Sequence, residues 1–104
     1  MSADVIELPL CIGPDHPSLA GHFPGRPVVP GVVLLDQVAA ALEQAGCAPL
    51  RRLDAVKFLA PLAPGEHARL RLDGSAGRVR FRIDCGARAI VRGEATLADP
   101  EPAL

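Results

Sequence analysis

The segment that most constrains the fold is an almost wholly apolar stretch at residues 32–45. It contains no Gly or Pro, has the length of about four helical turns, and is followed by Gly46 and Pro49. On a helix, its few polar side chains fall within an arc of about 120°. They are Asp36, Gln37, Glu43 and Gln44. We therefore expect a helix that is buried on every other side, which requires a sheet wrapped around it.

Segments in which apolar and polar residues alternate supply such a sheet. They lie near residues 6–12, 53–60, 68–73, 78–84 and 88–97, and turn-forming glycines separate the later ones. Pro9 in the first segment favours an edge strand or a bulge. The sequence thus predicts an α+β fold, the hotdog arrangement, in which a curved antiparallel sheet encloses one central apolar helix.

The length of 104 residues fits one domain, which we assign to residues 1–98, with residues 99–104 as a flexible tail. A single copy is too short to cover both the apolar helix and the open edges of its sheet. Edge-to-edge pairing into a homodimer or a higher oligomer with a continuous sheet is therefore expected.

Composition excludes several classes of function. Eleven basic and twelve acidic residues give a net charge of −1, and three Phe with no Tyr or Trp offer few stacking surfaces, so a nucleic-acid partner is not expected. Three widely spaced cysteines predict reduced, buried thiols, and no metal-ligand spacing is present. An acidic start and the absence of a membrane-spanning stretch favour the cytoplasm.

The residues that could take part in catalysis lie between positions 21 and 36. His22 stands on a loop made stiff by repeated prolines, and its imidazole can remove a proton near neutral pH. Gly31 and Val32 expose backbone N–H groups at the positive end of the helix dipole, where a carbonyl oxygen gaining negative charge is stabilised. Asp36 either donates a proton to a leaving group or positions it while protonated His22 returns the proton. This set suits loss of water from a β-hydroxyacyl thioester.

The pattern Gly-His-Phe-Pro-Gly-x-Pro-x-x-Pro-Gly-x-x-x-x-Asp at residues 21–36 resembles the signature of the β-hydroxyacyl-[acyl-carrier-protein] dehydratases, the FabA/FabZ-like hotdog family. Residues 56–65 resemble the strand and Pro-Gly turn that follow the helix in that family. The resemblance implies that His22 is the catalytic histidine and Asp36 the catalytic acid. It also implies that the Gly31 N–H holds the thioester carbonyl, and that Val32 and Phe23 lie beside the substrate.

The same resemblance implies the substrate and its partner. A 3-hydroxyacyl group carried on the phosphopantetheine of an acyl carrier protein would become a trans-2-enoyl thioester, in fatty acid or polyene and polyketide-like synthesis, with no bound cofactor. In such enzymes the histidine and the acid meet across the dimer interface beside an apolar tunnel. Arg26, Arg51 and Arg52 are the candidates for docking of the acidic carrier protein.

Two further functions stay open. A hotdog thioesterase would keep the oxyanion site and use Asp36 to activate water. A non-catalytic subunit that binds acyl groups or the carrier protein within a synthase is favoured by the short chain and by Ala40, where many family members carry Gln. Several arginines also occupy outward strand positions, which is typical of a solvated face and would attract an acidic partner. They are Arg69, Arg71, Arg78, Arg80 and Arg82.

Overall fold

The computed structural model describes residues 4–13, 28–75 and 77–98. In this part of the chain one helix and five strands occur in the order β1 (Asp4–Leu10), α1 (Gly31–Gln44), β2 (Leu50–Phe58), β3 (Ala68–Ser75), β4 (Arg78–Cys85) and β5 (Arg88–Leu97). The strands form one antiparallel sheet with the spatial order β1-β3-β4-β5-β2. This architecture confirms the predicted α+β fold with a single helix.

The sheet has one apolar face and one charged face because successive strand residues point in opposite directions. Along β4 the buried residues Val79, Phe81 and Ile83 alternate with exposed arginines. The register aligns buried residues of neighbouring strands, as in the pairs Leu72 with Phe81 and Ile83 with Val91. This inner face shares one hydrophobic core with a set of buried α1 side chains. They are Val33, Leu34, Val38, Ala41 and Leu42.

Most predicted boundaries are close to the observed ones. The helix begins one residue earlier than predicted, at Gly31, and Pro30 precedes it in an extended conformation. The last strand begins at Arg88 and ends at Leu97, as predicted. Pro9 lies in an edge strand, which confirms one of its two predicted placements. The strand after the helix starts at Leu50 rather than Leu53, because Arg51 and Arg52 interrupt the alternation of the sequence there. Its pairing with β5 also contains two register shifts.

Two expectations about burial are wrong for this chain taken singly. Val32 and Ala39 are exposed on α1, although they lie outside the polar arc that we predicted to be its only solvated side, and Ala40 is exposed inside that arc. The sheet covers one side of the helix and leaves these positions uncovered by any described residue. The three cysteines are free thiols, but Cys11 is exposed and the other two are only partly buried.

The prediction of a loose tail at residues 99–104 lies outside the described residues.

Candidate functional site

The site begins at the N-terminus of α1, whose first turn has no side-chain cap. Pro30 occupies the cap position, and its carbonyl accepts hydrogen bonds from the N–H groups of Val33, at 3.0 Å, and Leu34, at 3.4 Å. No described residue accepts a hydrogen bond from the N–H of Gly31 or Val32. These two amides lie where the helix dipole is positive, so they are suited to hold an oxygen that carries negative charge.

The segment that leads into the helix is fixed to the chain that follows β2. The Val29 N–H donates to the Leu62 carbonyl at 2.8 Å. The Leu59 N–H, just beyond β2, donates to the Ile90 carbonyl at 2.8 Å, which fastens the same loop to β5. The start of α1 therefore has a rigid position relative to the end of β2, and groups on the two elements can form one site.

The Phe58 ring lies against the start of the helix. A Cβ atom at position 31 would stand 2.6 Å from Phe58 Cζ, closer than side chains pack, so Gly31 is the residue that permits this approach. Beside the ring is an open pocket of about 430 Å³, lined only by residues without polar side chains. It is formed by the segment before the helix, Gly31, Leu34, and residues 58–62. A pocket of this size and character accommodates a small apolar chain.

Asp36 lies one and a half turns into α1, on the side of the helix that faces away from the sheet. The carboxylate shares this exposed stripe with Val32, Ala39, Ala40 and Glu43, which recur at helical spacing. In the described part of the chain no basic group lies within ion-pair distance of it. The stripe is half apolar, which is unusual for a helix surface meant to face only water.

The structure thus places three of the predicted site residues on one helix: Gly31, Val32 and Asp36. The predicted positions of His22, Phe23 and Arg26 fall outside the described residues, so their roles stay predictions. Of the two docking candidates on β2, Arg52 donates from Nε to Asp54 Oδ1 at 2.6 Å.

The carboxyl groups with perturbed pKa values lie elsewhere. Hydrogen bonds from the Thr96 hydroxyl, at 2.6 Å, and from Arg52 hold the pKa of Asp54 below its ordinary value. The Ala63 N–H, at 2.8 Å, and the Arg88 guanidinium, at 2.7 Å, lower the pKa of Glu66 in the same way. Asp54 joins β2 to β5, and Glu66 stabilises the turn before β3, so we assign both carboxylates to the fold rather than to the site.

Two other kinds of site are absent from the part of the chain that the structure describes. Within residues 4–13, 28–75 and 77–98, no three His, Cys, Asp or Glu side chains are grouped as metal ligands. Among these same residues, no helix has the length and apolar character required to cross a bilayer.

Sequence reasoning missed Phe58 as a part of the site. Its signal was present, because an aromatic residue that ends a strand just before a Pro-containing loop is well placed to cover a neighbouring helix end. What the sequence does not contain is the register of β2 against β5, which sets Phe58 opposite Val91 on the inner face.

Comparison with solved structures defines the class of fold. The dehydratase heterocomplex ApeI:P from Xenorhabdus doucetiae superposes with a TM-score of 0.79 at 28% identity, over 91% of this chain and 88% of that one. The (R)-hydratase from A. caviae involved in PHA biosynthesis gives a TM-score of 0.70 at 19% identity, over 96% and 97% of the two chains, and supports the fold alone. The protein has the hotdog fold.

Sequence comparison then gives the family. The pattern of the ApeI-like family, described as the ApeI dehydratase, matches residues 1–94. The 3-hydroxyacyl-[acyl-carrier-protein] dehydratase FabZ of Thermomicrobium roseum is 36% identical over 86% of this chain and 70% of its own length. The FabZ of Symbiobacterium thermophilum is 34% identical over 86% and 76%. The chain belongs to the ApeI-like dehydratases, within the wider FabA/FabZ-like group.

Proposed function

We propose that this protein is a 3-hydroxyacyl-[acyl-carrier-protein] dehydratase of the cytoplasm, which removes water from a 3-hydroxyacyl thioester to give a trans-2-enoyl thioester. The observation that carries the proposal is the juxtaposition at the start of α1. The amides of Gly31 and Val32 have no acceptor among the described residues, Gly31 lines an apolar pocket, and a carboxylate follows at Asp36 on the same helix. Relatives that are named as dehydratases support the same class of reaction.

Three groups act in the proposed reaction. The Gly31 N–H binds the thioester oxygen and stabilises the charge that develops on it as the C2 proton leaves. His22 takes that proton, and the electrons of the C2–H bond form the C2–C3 double bond while the C3–O bond breaks. The departing hydroxyl leaves as water after it receives a proton, either from Asp36 or from the protonated His22 with Asp36 holding the hydroxyl.

The site is proposed to be completed by a second hotdog chain. Four large apolar side chains are exposed around the start of α1 and along β2: Val32 at 64%, Leu53 at 39%, Phe58 at 53% and Leu59 at 45%. We call this set the β2-edge patch. The second edge of β2 has no described strand beside it. Because a partner strand there would bury the patch and continue the sheet, β2 is the proposed dimer edge.

The partner is proposed to be a second copy of this chain. A different hotdog chain is the alternative, since one structural neighbour is described as a heterocomplex. Mass measurement of the purified protein in solution separates these cases, because a homodimer forms without any added subunit.

The test is incubation with 3-hydroxyacyl carrier proteins of several chain lengths, followed by mass analysis of the acyl products. A dehydratase yields enoyl carrier protein, with a loss of one water. Release of free acid would instead show a thioesterase, and binding without any turnover would show a non-catalytic subunit. Either result would contradict the proposal.

Variants assign the roles. His22→Ala and Asp36→Asn are each expected to reduce the rate on the order of 10²–10⁴-fold. His67→Ala and Glu43→Gln are the matched controls, because His67 is an exposed residue outside the site and Glu43 lies two turns beyond Asp36 on the same stripe. A His22 or Asp36 variant as active as its control would remove that residue from the mechanism.

A further inference from the structure

The loop between β2 and β3 is hydrogen-bonded to the chain on both sides of His22. The Gly65 N–H donates to the Ile12 carbonyl at 2.8 Å, two residues beyond the end of β1. The Leu62 carbonyl accepts from the Val29 N–H at 2.8 Å, two residues before α1 begins. In the sequence, His22 lies between Ile12 and Val29. One loop therefore fixes the chain before the proposed base, the chain after it, and the entry to the helix.

These contacts are sheltered from water. The side chains of Ile12, Val29 and Leu62 are all buried in the core. A backbone hydrogen bond in such surroundings is costly to break, because the freed groups find no water to replace the lost partner. If the loop moves, both contacts have to move with it. The position of the start of α1 therefore depends on what holds the shape of the loop.

The shape of the loop depends on a tight turn at residues 63–66. Pro64 restricts its own φ, and Gly65 has a φ of +86°, a combination typical of a type II turn. The two ends of the turn are joined by a reciprocal pair of hydrogen bonds. The Glu66 N–H donates to the Ala63 carbonyl at 3.2 Å, and the Ala63 N–H donates back to Glu66 Oε1 at 2.8 Å. The Glu66 carboxylate therefore closes the turn.

The same carboxylate joins the turn to the hairpin between β4 and β5. Glu66 Oε1 also accepts a hydrogen bond from the Arg88 guanidinium at 2.7 Å, and Oε2 accepts from the Cys85 thiol at 3.7 Å. Hydrogen bonds between charged groups are stronger than those between neutral groups. Glu66 thus connects the loop, through one side chain, to the first residue of β5 and the last residue of β4.

We propose that Glu66 is a positioning residue for the dehydration site. It touches no reacting group. It holds the turn whose hydrogen bonds fix the start of α1, and with it the amide of Gly31. This inference rests on the proposed function for the roles of Gly31 and His22. A displacement of about 1 Å between groups that act on one substrate can reduce a rate about 100-fold, so a carboxylate outside the site can control its activity.

Asp54 provides the natural comparison within the same chain. Its carboxylate also accepts two hydrogen bonds, from the Thr96 hydroxyl at 2.6 Å and from Arg52 Nε at 2.6 Å. These partners lie on β5 and β2, and in the described part of the chain neither is bonded to the segment that precedes α1. Both carboxylates stabilise the fold, but only Glu66 is connected to the start of the helix.

The first test is steady-state kinetics of the full chain with a 3-hydroxyacyl carrier protein, at a temperature where circular dichroism shows every variant to be folded. Glu66→Ala is expected to lower kcat about 10–100-fold. KM should change by less than about 3-fold, because a displaced oxyanion donor is felt chiefly in the transition state. Glu66→Gln should lose less, since its amide oxygen can still accept from the Ala63 N–H.

Asp54→Asn is the matched control and is expected to keep its kcat although its Tm falls. A Glu66→Ala variant with the kcat of the wild type would overturn the inference. An equal loss of kcat in Asp54→Asn would also overturn it, because general destabilisation would then explain both results. If Glu66→Ala does not fold, Glu66→Gln is compared with Asp54→Asn on the same terms.

The second test does not depend on turnover. In assigned amide NMR spectra, the signals of Gly31 and Val32 are expected to shift in Glu66→Gln and to stay in place in Asp54→Asn. If the wild-type protein dehydrates no substrate but these signals move in Glu66→Gln alone, the proposed function is wrong and the positioning of the helix start by Glu66 stands. If the wild-type protein is active and neither kcat nor these signals distinguish the two variants, the inference is wrong and the proposed function stands.

Discussion

The two edges of the sheet differ in a way that indicates where this protein assembles. The β1 edge carries Glu7 and Pro9, and one exposed apolar side chain, Val5, at 48%. Proline donates no ladder hydrogen bond and is typical of an edge that does not accept another strand. The β2 edge contains no proline and adjoins the β2-edge patch. Because exposed apolar area is concentrated at one edge, we propose different surroundings for the two edges of the sheet: water at β1 and a second chain at β2.

The largest expected effect comes from a charge placed in the β2 edge. Leu53→Asp would bury a carboxylate in the proposed interface, so we expect the dimer dissociation constant to rise at least about 100-fold. Light scattering across a range of concentrations measures this change. Turnover should fall with the dimer, because each site is proposed to be completed by the partner.

Val5→Asp is the matched control, since it places the same charge in an exposed apolar position at the other edge. A Val5 variant that dissociates as readily as the Leu53 variant would remove the distinction between the edges.

The next largest effect concerns how closely each edge strand packs against the strand beside it, which is β5 for β2 and β3 for β1. A Cβ atom on Gly93, which pairs with β2, would contact Phe81 Cζ and stand 2.6 Å from the Ala55 carbonyl oxygen. Gly93→Ala is therefore expected to lower the free energy of unfolding by about 2–3 kcal/mol. Denaturant titration measures the loss.

Gly74→Ala is the corresponding change on the β1 side. Its nearest contact would be 3.7 Å, an ordinary packing distance, so the substitution is expected to be nearly neutral. Equal losses from the two substitutions would show that close packing is not confined to the β2 side.

The smallest effect is a dependence on pH. Because hydrogen bonds hold the pKa of Asp54 below its ordinary value, ionised Asp54 stabilises the fold above the unfolded-state pKa of about 4. That contribution disappears as the pH falls through the lower folded-state pKa. Asp54→Asn should therefore have a lower Tm than the wild type at pH 7, and the difference should narrow below about pH 4.

Glu7→Gln provides the comparison at the β1 edge, where the carboxylate makes two long, exposed ion pairs at 3.6 and 3.7 Å. Such pairs contribute little, so the Tm at pH 7 should change by no more than about 2 °C. An Asp54 variant whose Tm difference is constant from pH 7 to pH 3 would contradict the assigned role of that carboxylate.

Local sequence predicted the elements well where their signals were strong. The long apolar run predicted α1, and strict alternation predicted β3 and β4, because helical and strand periodicities differ and neither depends on distant residues. The start of β2 was misplaced because Arg51 and Arg52 interrupt the alternation there. Burial of the helix was overestimated because the sequence does not specify whether one chain or several chains cover it.

The chain by itself determined that an apolar helix would lie against a one-sided sheet and that Gly31 and Asp36 would stand near the start of that helix, since these facts follow from spacing along the backbone. Tertiary structure decided what spacing cannot: the order of the strands, the edge at which apolar groups remain exposed, and the closeness of Phe58 to Gly31. The physical reason is that alternation assigns each side chain to a face, whereas cross-strand neighbours depend on register and strand order, which only the assembled sheet fixes.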